Sequence, residues 1–169
     1  MREIRLFVFM GIVLLVGGQS LCAQSKAEKK AEKEQQVKMK LENGNYEIDV
    51  DWALPMQGRS VNLTSPYSLE IRNDSVFSYL PYFGRAYSVP YGGGSGMIFK
   101  EPVSDYTLVF DEKGTAQVRF KTRTQDGVHE FNIQVFSNGS ASIQARPANR
   151  QGISYRGNLS LENDQERGE

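Results

Sequence analysis

Few side chains in this sequence are of the types that carry chemistry. His129 is the single histidine, so no site within one chain can rest on two imidazole ligands or on a histidine relay. Its parity matches Phe131 and Ile133, which points it inward near the end of a hairpin as a hydrogen-bonded rim residue rather than a general base. Ser95 stands among glycines, but Met97 occupies the place where a nucleophile elbow needs its second glycine, and no strand-to-helix transition follows. The glycine-rich run 92–96 lacks the lysine and helix of a phosphate loop and reads as a flexible loop. Asp49 and Asp51 share a strand face, as paired catalytic carboxylates do, yet that face is also the expected solvent side of an amphipathic strand. We therefore expect no catalytic residue, no metal site, no cofactor and no enzymatic activity.

What remains is a binding chemistry. Residues 78–99, SYLPYFGRAYSVPYGGGSGMIF, hold six aromatic rings, two prolines and five glycines. Pro81, Pro90 and the glycine run rule out a regular helix there. The large amphipathic rings of Tyr79, Tyr82, Phe83, Tyr87 and Tyr91 admit two uses. They can plug a barrel end as core, or they can form a lid over a cavity mouth, with Arg85 offering its fork of donors to a carboxylate, phosphate or sugar hydroxyl.

The elements that would position this stretch are strands. Tyr46, Ile48, Val50 and Trp52 alternate with Glu47, Asp49 and Asp51, which makes a strand with one wet face. The period of two returns at Tyr67-Leu69-Ile71, Tyr106-Leu108-Phe110, Ala116-Val118-Phe120, Phe131-Ile133-Val135 and Ala141-Ile143-Ala145. With 56–63, 76–80 and the run to Ile153 and Tyr155, nine or ten short strands are expected. Asn73-Asp74, Lys113-Gly114, Asp126-Gly127 and Asn138-Gly139 each separate two such runs and supply the positive φ of tight hairpins. Connections this short forbid parallel crossovers. The class is all-β, and a meander of this length must close or split into two sheets to protect its edges. A lipocalin-like antiparallel barrel is preferred over a two-sheet sandwich.

Ahead of the strands, residues 24–44 are strong helix formers with dense mixed charge and only Val37, Met39 and Leu41 as bulky apolar groups. This predicts a short charged helix, mostly solvated, acting as a spacer that Gly44 ends. Residues 1–23 have the anatomy of an export signal, with Arg2 and Arg5 before an apolar run too short to span a bilayer. Cleavage is expected after Ala23. Cys22 raises a lipoprotein alternative, against which Leu21 argues, because a small residue is wanted before a lipidated cysteine. Cleavage would leave no cysteine, excluding disulfides and thiolate sites. It would also leave one more acidic than basic side chain of the balanced 20 and 20, which gives no electrostatic reason to expect nucleic acid. The expected organisation is a signal at 1–23, a spacer at 24–44, one barrel at 45–157 and a disordered polar tail at 158–169. The location would be periplasmic or secreted, and the mature chain a monomer with no transmembrane segment.

The segment 74–102 with its aromatic core, and the run NRQGISYRG at 149–157, resemble an uncharacterised family of exported Bacteroides-group proteins, "domain of unknown function 4251". The resemblance covers roughly 41–157. It implies an envelope-facing or secreted protein of lipocalin-like topology and transfers no activity or catalytic residue. Asp74-Ser75-Val76 also resembles the O-glycosylation sequon of that bacterial group, with Ser75 as acceptor. The leading expectation is a binding module for a small amphipathic or apolar ligand, a glycan or an envelope protein. A structural or assembly protein of the envelope is the rival, and a hydrolase ranks third.

Overall fold

The computed structural model describes residues 21–87 and 96–161, with side chains from Ser25 onward. Residues 1–20 of the expected signal segment, the glycine run before Gly96 together with Ser95, Pro90 and Tyr91, and the end of the polar tail lie outside the described residues, whereas 21–23 belong to the first helix. Among the described residues, one helix, α1 (Leu21–Glu42), precedes eight strands: β1 (Tyr46–Pro55), β2 (Val61–Arg72), β3 (Ser75–Leu80), β4 (Met97–Phe110), β5 (Ala116–Thr124), β6 (Gly127–Val135), β7 (Ser140–Pro147) and β8 (Ile153–Leu159). The chain divides into two units at Glu32, and the last turns of α1 belong to the unit that carries the strands.

Each strand pairs antiparallel with the next, and β8 returns to β1, so the sheet closes as an up-and-down barrel. Closure removes the free edges that an open meander would expose. The barrel expectation therefore holds and the sandwich does not. Among the described residues eight strands form instead of nine or ten, because residues 56–60 make the β1–β2 connection and 61–63 open the same strand as Tyr67, Leu69 and Ile71. The hairpin turns fall where the sequence places them: Asn73 and Asp74 take φ of 50° and 57°, and Gly114, Gly127 and Gly139 take φ of 75°, 112° and 84°.

The interior is filled. Phe120 and Phe131 stack with centroids 5.0 Å apart, and Ile48, Leu69, Leu80, Ile133, Ile143 and Tyr155 complete a continuous core. Val37 and Leu41 of α1 belong to the same cluster. Residues 25–36 are exposed, as expected of a mostly solvated helix, but its last turns are docked and are not a free spacer. Its apolar residues are few, but Val37 and Leu41 lie four apart, on one helical face, and that face is buried. At the other end of the chain, Leu159 N–H donates to Gly139 O and Leu161 packs on the core, so ordered structure runs beyond Gly157.

The alternation in β1 breaks at one point. The register shifts between Val50 and Trp52 on both sides of the strand, so Asp51 is an extra residue in a β-bulge and everything after it changes face. Trp52, expected inside with Val50, is 42% exposed, and Ala53 is buried in its stead. Gly157 lies opposite Val50. A Cβ there would overlap the Asp49 carbonyl oxygen and lie 2.9 Å from Val50 Cα, so the bulge and its close approach require glycine.

Candidate functional site

The aromatic stretch leaves β3 at Leu80 and runs as a strap across the segment between β7 and β8. Tyr155, fully buried, donates its hydroxyl to Pro81 O at 2.7 Å and fastens the start of the strap. Ala86 bridges Arg150 as an isolated antiparallel pair. Tyr87 N–H donates to Asn149 O at 2.8 Å, and Gln151 N–H donates to Arg85 O at 3.1 Å. The strap's backbone at 85–87 is thus paired like a short strand, outside the barrel ladder.

Tyr82 has a structural place. Its hydroxyl lies 2.9 Å from Gln151 O and 3.1 Å from Arg85 O, and its ring carries the Arg150 guanidinium with Cζ 5.2 Å from the centroid. A Cβ at Gly84 would fall 2.6 Å from the Tyr82 hydroxyl, so the ring folds over a residue that has no side chain to obstruct it. Burial pushes the Tyr82 phenol upward, while the nearby Arg150 charge and the bond to Gln151 pull the other way.

Arg150 is the node that sequence reasoning missed. It is a buried charge, with Nη1 donating to Gly96 O and Nη2 to Asp126 Oδ2, both at 3.3 Å. Together with the Tyr82 ring it joins the strap, the start of β4 and the β5–β6 turn. Nothing local marks it: an arginine in a polar loop reads as surface, and its partners lie 24 and 54 positions away.

The other predicted rings are arranged differently. Tyr79 is 47% exposed, Phe83 37% and Tyr87 72%, and the Arg85 side chain is exposed as well. Tyr79 stacks on Tyr67 with centroids 5.3 Å apart and an interplanar angle of 26°. Tyr67, read as a core-facing strand residue, is half-buried and packs against the core. The two rings come from neighbouring strands β2 and β3, so their stack is a cross-strand fact and not a local one. Ser75 sits at the β2–β3 turn with its hydroxyl 3.5 Å from Asn73 O.

His129 points inward, as expected from its parity, and is buried. Its Nδ1 lies 3.2 Å from Gly127 O and 3.5 Å from Thr124 Oγ1, and the Phe99 ring meets it edge-on at 5.3 Å. Burial holds its pKa below the usual imidazole value, against the raising effects of the Gly127 carbonyl and the Asp126 charge. Asp49 and Asp51 are both exposed on β1. Among the described residues, no group of three or more His, Cys, Asp or Glu side chains is arranged to hold a metal ion, and no helix is long and apolar enough to cross a membrane.

Three clefts matter to the surface. One of about 580 Å³ is lined by Gln36, Met39, Lys40, Asn43 and Leu161. Another of about 250 Å³ lies beside Val37 and Phe110. A third of about 320 Å³ opens between the start of β4 and the β5–β6 turn, with His129 in its wall. None of the three is lined by Tyr79, Tyr82 or Tyr87.

The chain has structural kin. The crystal structure of a DUF4251 family protein from Bacteroides eggerthii DSM 20697 is similar with a TM-score of 0.59 and 15% sequence identity, over 76% of this chain and 87% of that one. At that identity the likeness speaks for the fold alone. No curated protein matches the sequence. The profile of the domain of unknown function DUF4251 matches residues 28–159, from within α1 to the last residue of β8, and the chain belongs to that family.

Proposed function

We propose that the protein is an exported, non-enzymatic binding module that takes a small amphipathic ligand, a glycan or an envelope partner on exposed aromatic rings at the outside of the barrel. The observation that carries this reading is the combination of exposed rings with a fastened backbone. Tyr79 and Tyr87 stand out to solvent, while the strap between them is held by the Ala86–Arg150 bridge, the Tyr82 hydroxyl and the Tyr155 anchor. Large rings on a rigid support lose little conformational freedom on contact, which is how a modest surface gains affinity. The filled interior favours an external ligand over one enclosed in the barrel.

The same filled interior is also what favours the rival, a structural or assembly protein of the cell envelope. The two part on mutation. Tyr87→Ala removes a mostly exposed ring and Tyr79→Ala a half-exposed one stacked on Tyr67, so a binding module loses affinity by about 1 kcal/mol or more per ring with only a small change in stability. Native mass spectrometry of protein taken from its own host, wild type against the double variant, reads this directly. A bound ligand or partner on the wild type that is lost from a variant of unchanged melting temperature supports the proposal. A bare wild-type chain, or a variant that retains its ligand, overturns it.

A further inference from the structure

The starting point is Pro102, in the middle of β4. A proline has no N–H and is tolerated in a sheet only where no donor is required. Val103 N–H donates to Asp74 O at 2.8 Å, so the odd-numbered residues of this part of β4 turn their backbone groups toward β3 and the even-numbered ones away from it. Two bonds on the far side agree: Pro102 O accepts from Thr122 Oγ1 at 3.0 Å, and Gly96 O accepts from Arg150. The N–H and C=O of Ile98 and Lys100 therefore face away from β3.

On that side β5 does not meet them. The β4–β5 ladder reaches Val103 opposite Thr122 and goes no further toward Met97. Instead the edge opens on the cleft of about 320 Å³, whose walls are residues 96–101 on one side and 124–126 with His129 on the other. Several polar groups of the opposite wall are already bonded. Thr124 Oγ1 accepts from Asp126 N–H and lies 3.3 Å from Gly127 O, His129 Nδ1 faces Gly127 O, and Asn149 Nδ2 donates to Asp126 O at 2.7 Å. Among the described residues, two donors and two acceptors thus stand without a partner along one strand edge, with a repeat of about 7 Å set by two residues of strand.

The charges at the cleft differ in availability. Asp126 is held by Arg150, and Lys100 lays its ammonium 4.7 Å from the Phe77 ring centroid, on the outer face of the sheet. Glu101 lines the cleft, and none of the ion pairs among the described residues includes it. Phe99, packed against His129 and Phe131, supplies an apolar wall.

We infer that the β4 edge at Ile98 and Lys100 takes an extended stretch of polypeptide as an added strand, with a basic side chain of that stretch placed beside Glu101. Strand addition uses the repeat the edge offers, with main-chain bonds supplying affinity and neighbouring side chains supplying specificity. The inference is independent of the aromatic strap, because neither Tyr79 nor Tyr87 lines the cleft.

The test uses the chain from Gln24 onward, with a set of blocked five-residue peptides that alternate valine and threonine around a central lysine. A second set carries glutamate in place of the lysine, and a third is N-methylated at the two amides that would pair. Amide exchange is followed by NMR. The lysine peptides are expected to slow exchange of the Ile98 and Lys100 amides at least tenfold. The glutamate set, and Glu101→Gln with the lysine set, are expected to bind at least fivefold more weakly, and the N-methylated set to give no protection. Unchanged exchange at Ile98 and Lys100 with every lysine peptide overturns the inference, as does equal binding of the three sets.

Discussion

Replacing Leu41 by alanine tests whether the end of α1 is part of the barrel's core or a spacer laid beside it. Leu41 is 1% exposed and Val37, one turn earlier, 2%. Burying a leucine side chain is worth roughly 1.5–3 kcal/mol by area, and truncation leaves a cavity that the surrounding side chains fill only in part, which brings the expected loss to about 2–5 kcal/mol. Met39 lies between them in sequence but is 60% exposed, so Met39→Ala should stay within about 0.5 kcal/mol. The three-residue contrast is a helical-face argument, and a frayed helix would not show it. Urea unfolding followed by circular dichroism gives the free energies. A loss of about 3 kcal/mol should also lower the melting temperature by roughly 10 °C for a chain of this size. Deleting residues 24–32 should then be tolerated, while deletion through Glu42 should not. A Leu41→Ala variant within about 1 kcal/mol of wild type, or one no worse than Met39→Ala, would refute the docking of this face.

Gly157→Ala should cost about 3 kcal/mol or more, because the added methyl meets the Asp49 carbonyl and Val50 Cα, and backbone at a barrel seam cannot move aside as a side chain can; a melting curve like wild type would show that the bulge tolerates a side chain. Tyr82→Phe removes a hydroxyl that serves Gln151 O and Arg85 O and should lose about 1 kcal/mol in denaturant, whereas the same loss at exposed Tyr79 would contradict its place. His129 is buried and its pKa is lowered, chiefly by burial. Above the unfolded value of about 6.5 both states are neutral and His129 adds no pH dependence. As pH falls below that, the unfolded chain takes up the proton first and stability drops until the folded pKa is passed. Stability measured from pH 7.5 to 4.5 should therefore fall more steeply for wild type than for His129→Gln, and parallel curves would show that the ring is not held neutral.

The local period of the chain carried most of the fold. Alternation at Phe131, Ile133 and Val135 is a property of consecutive residues, and Asn138-Gly139 turns the chain whatever lies beyond it, so an all-β antiparallel meander was legible in the sequence, as was the inward face of His129. The exposure of Trp52 was not, because a bulge exists only when two partner strands impose a register, and it is Gly157, distant in sequence, that lets Asp49 come close. The burial of Val37 and Leu41 was hidden for a related reason: a charged helix with three bulky apolar residues, of which Met39 is exposed, has too weak a stripe to announce docking, and only the barrel supplies the surface that covers it. The aromatic stretch could be recognised from composition, but its division into a fastened Tyr82 and exposed Tyr79 and Tyr87 depended on Arg150, Gln151 and Tyr155 arriving from the end of the chain. Side-chain chemistry and turn preference are written residue by residue. Which ring is free and which strand edge is left unpaired are decided by closure of the barrel, which joins residues that no local pattern connects.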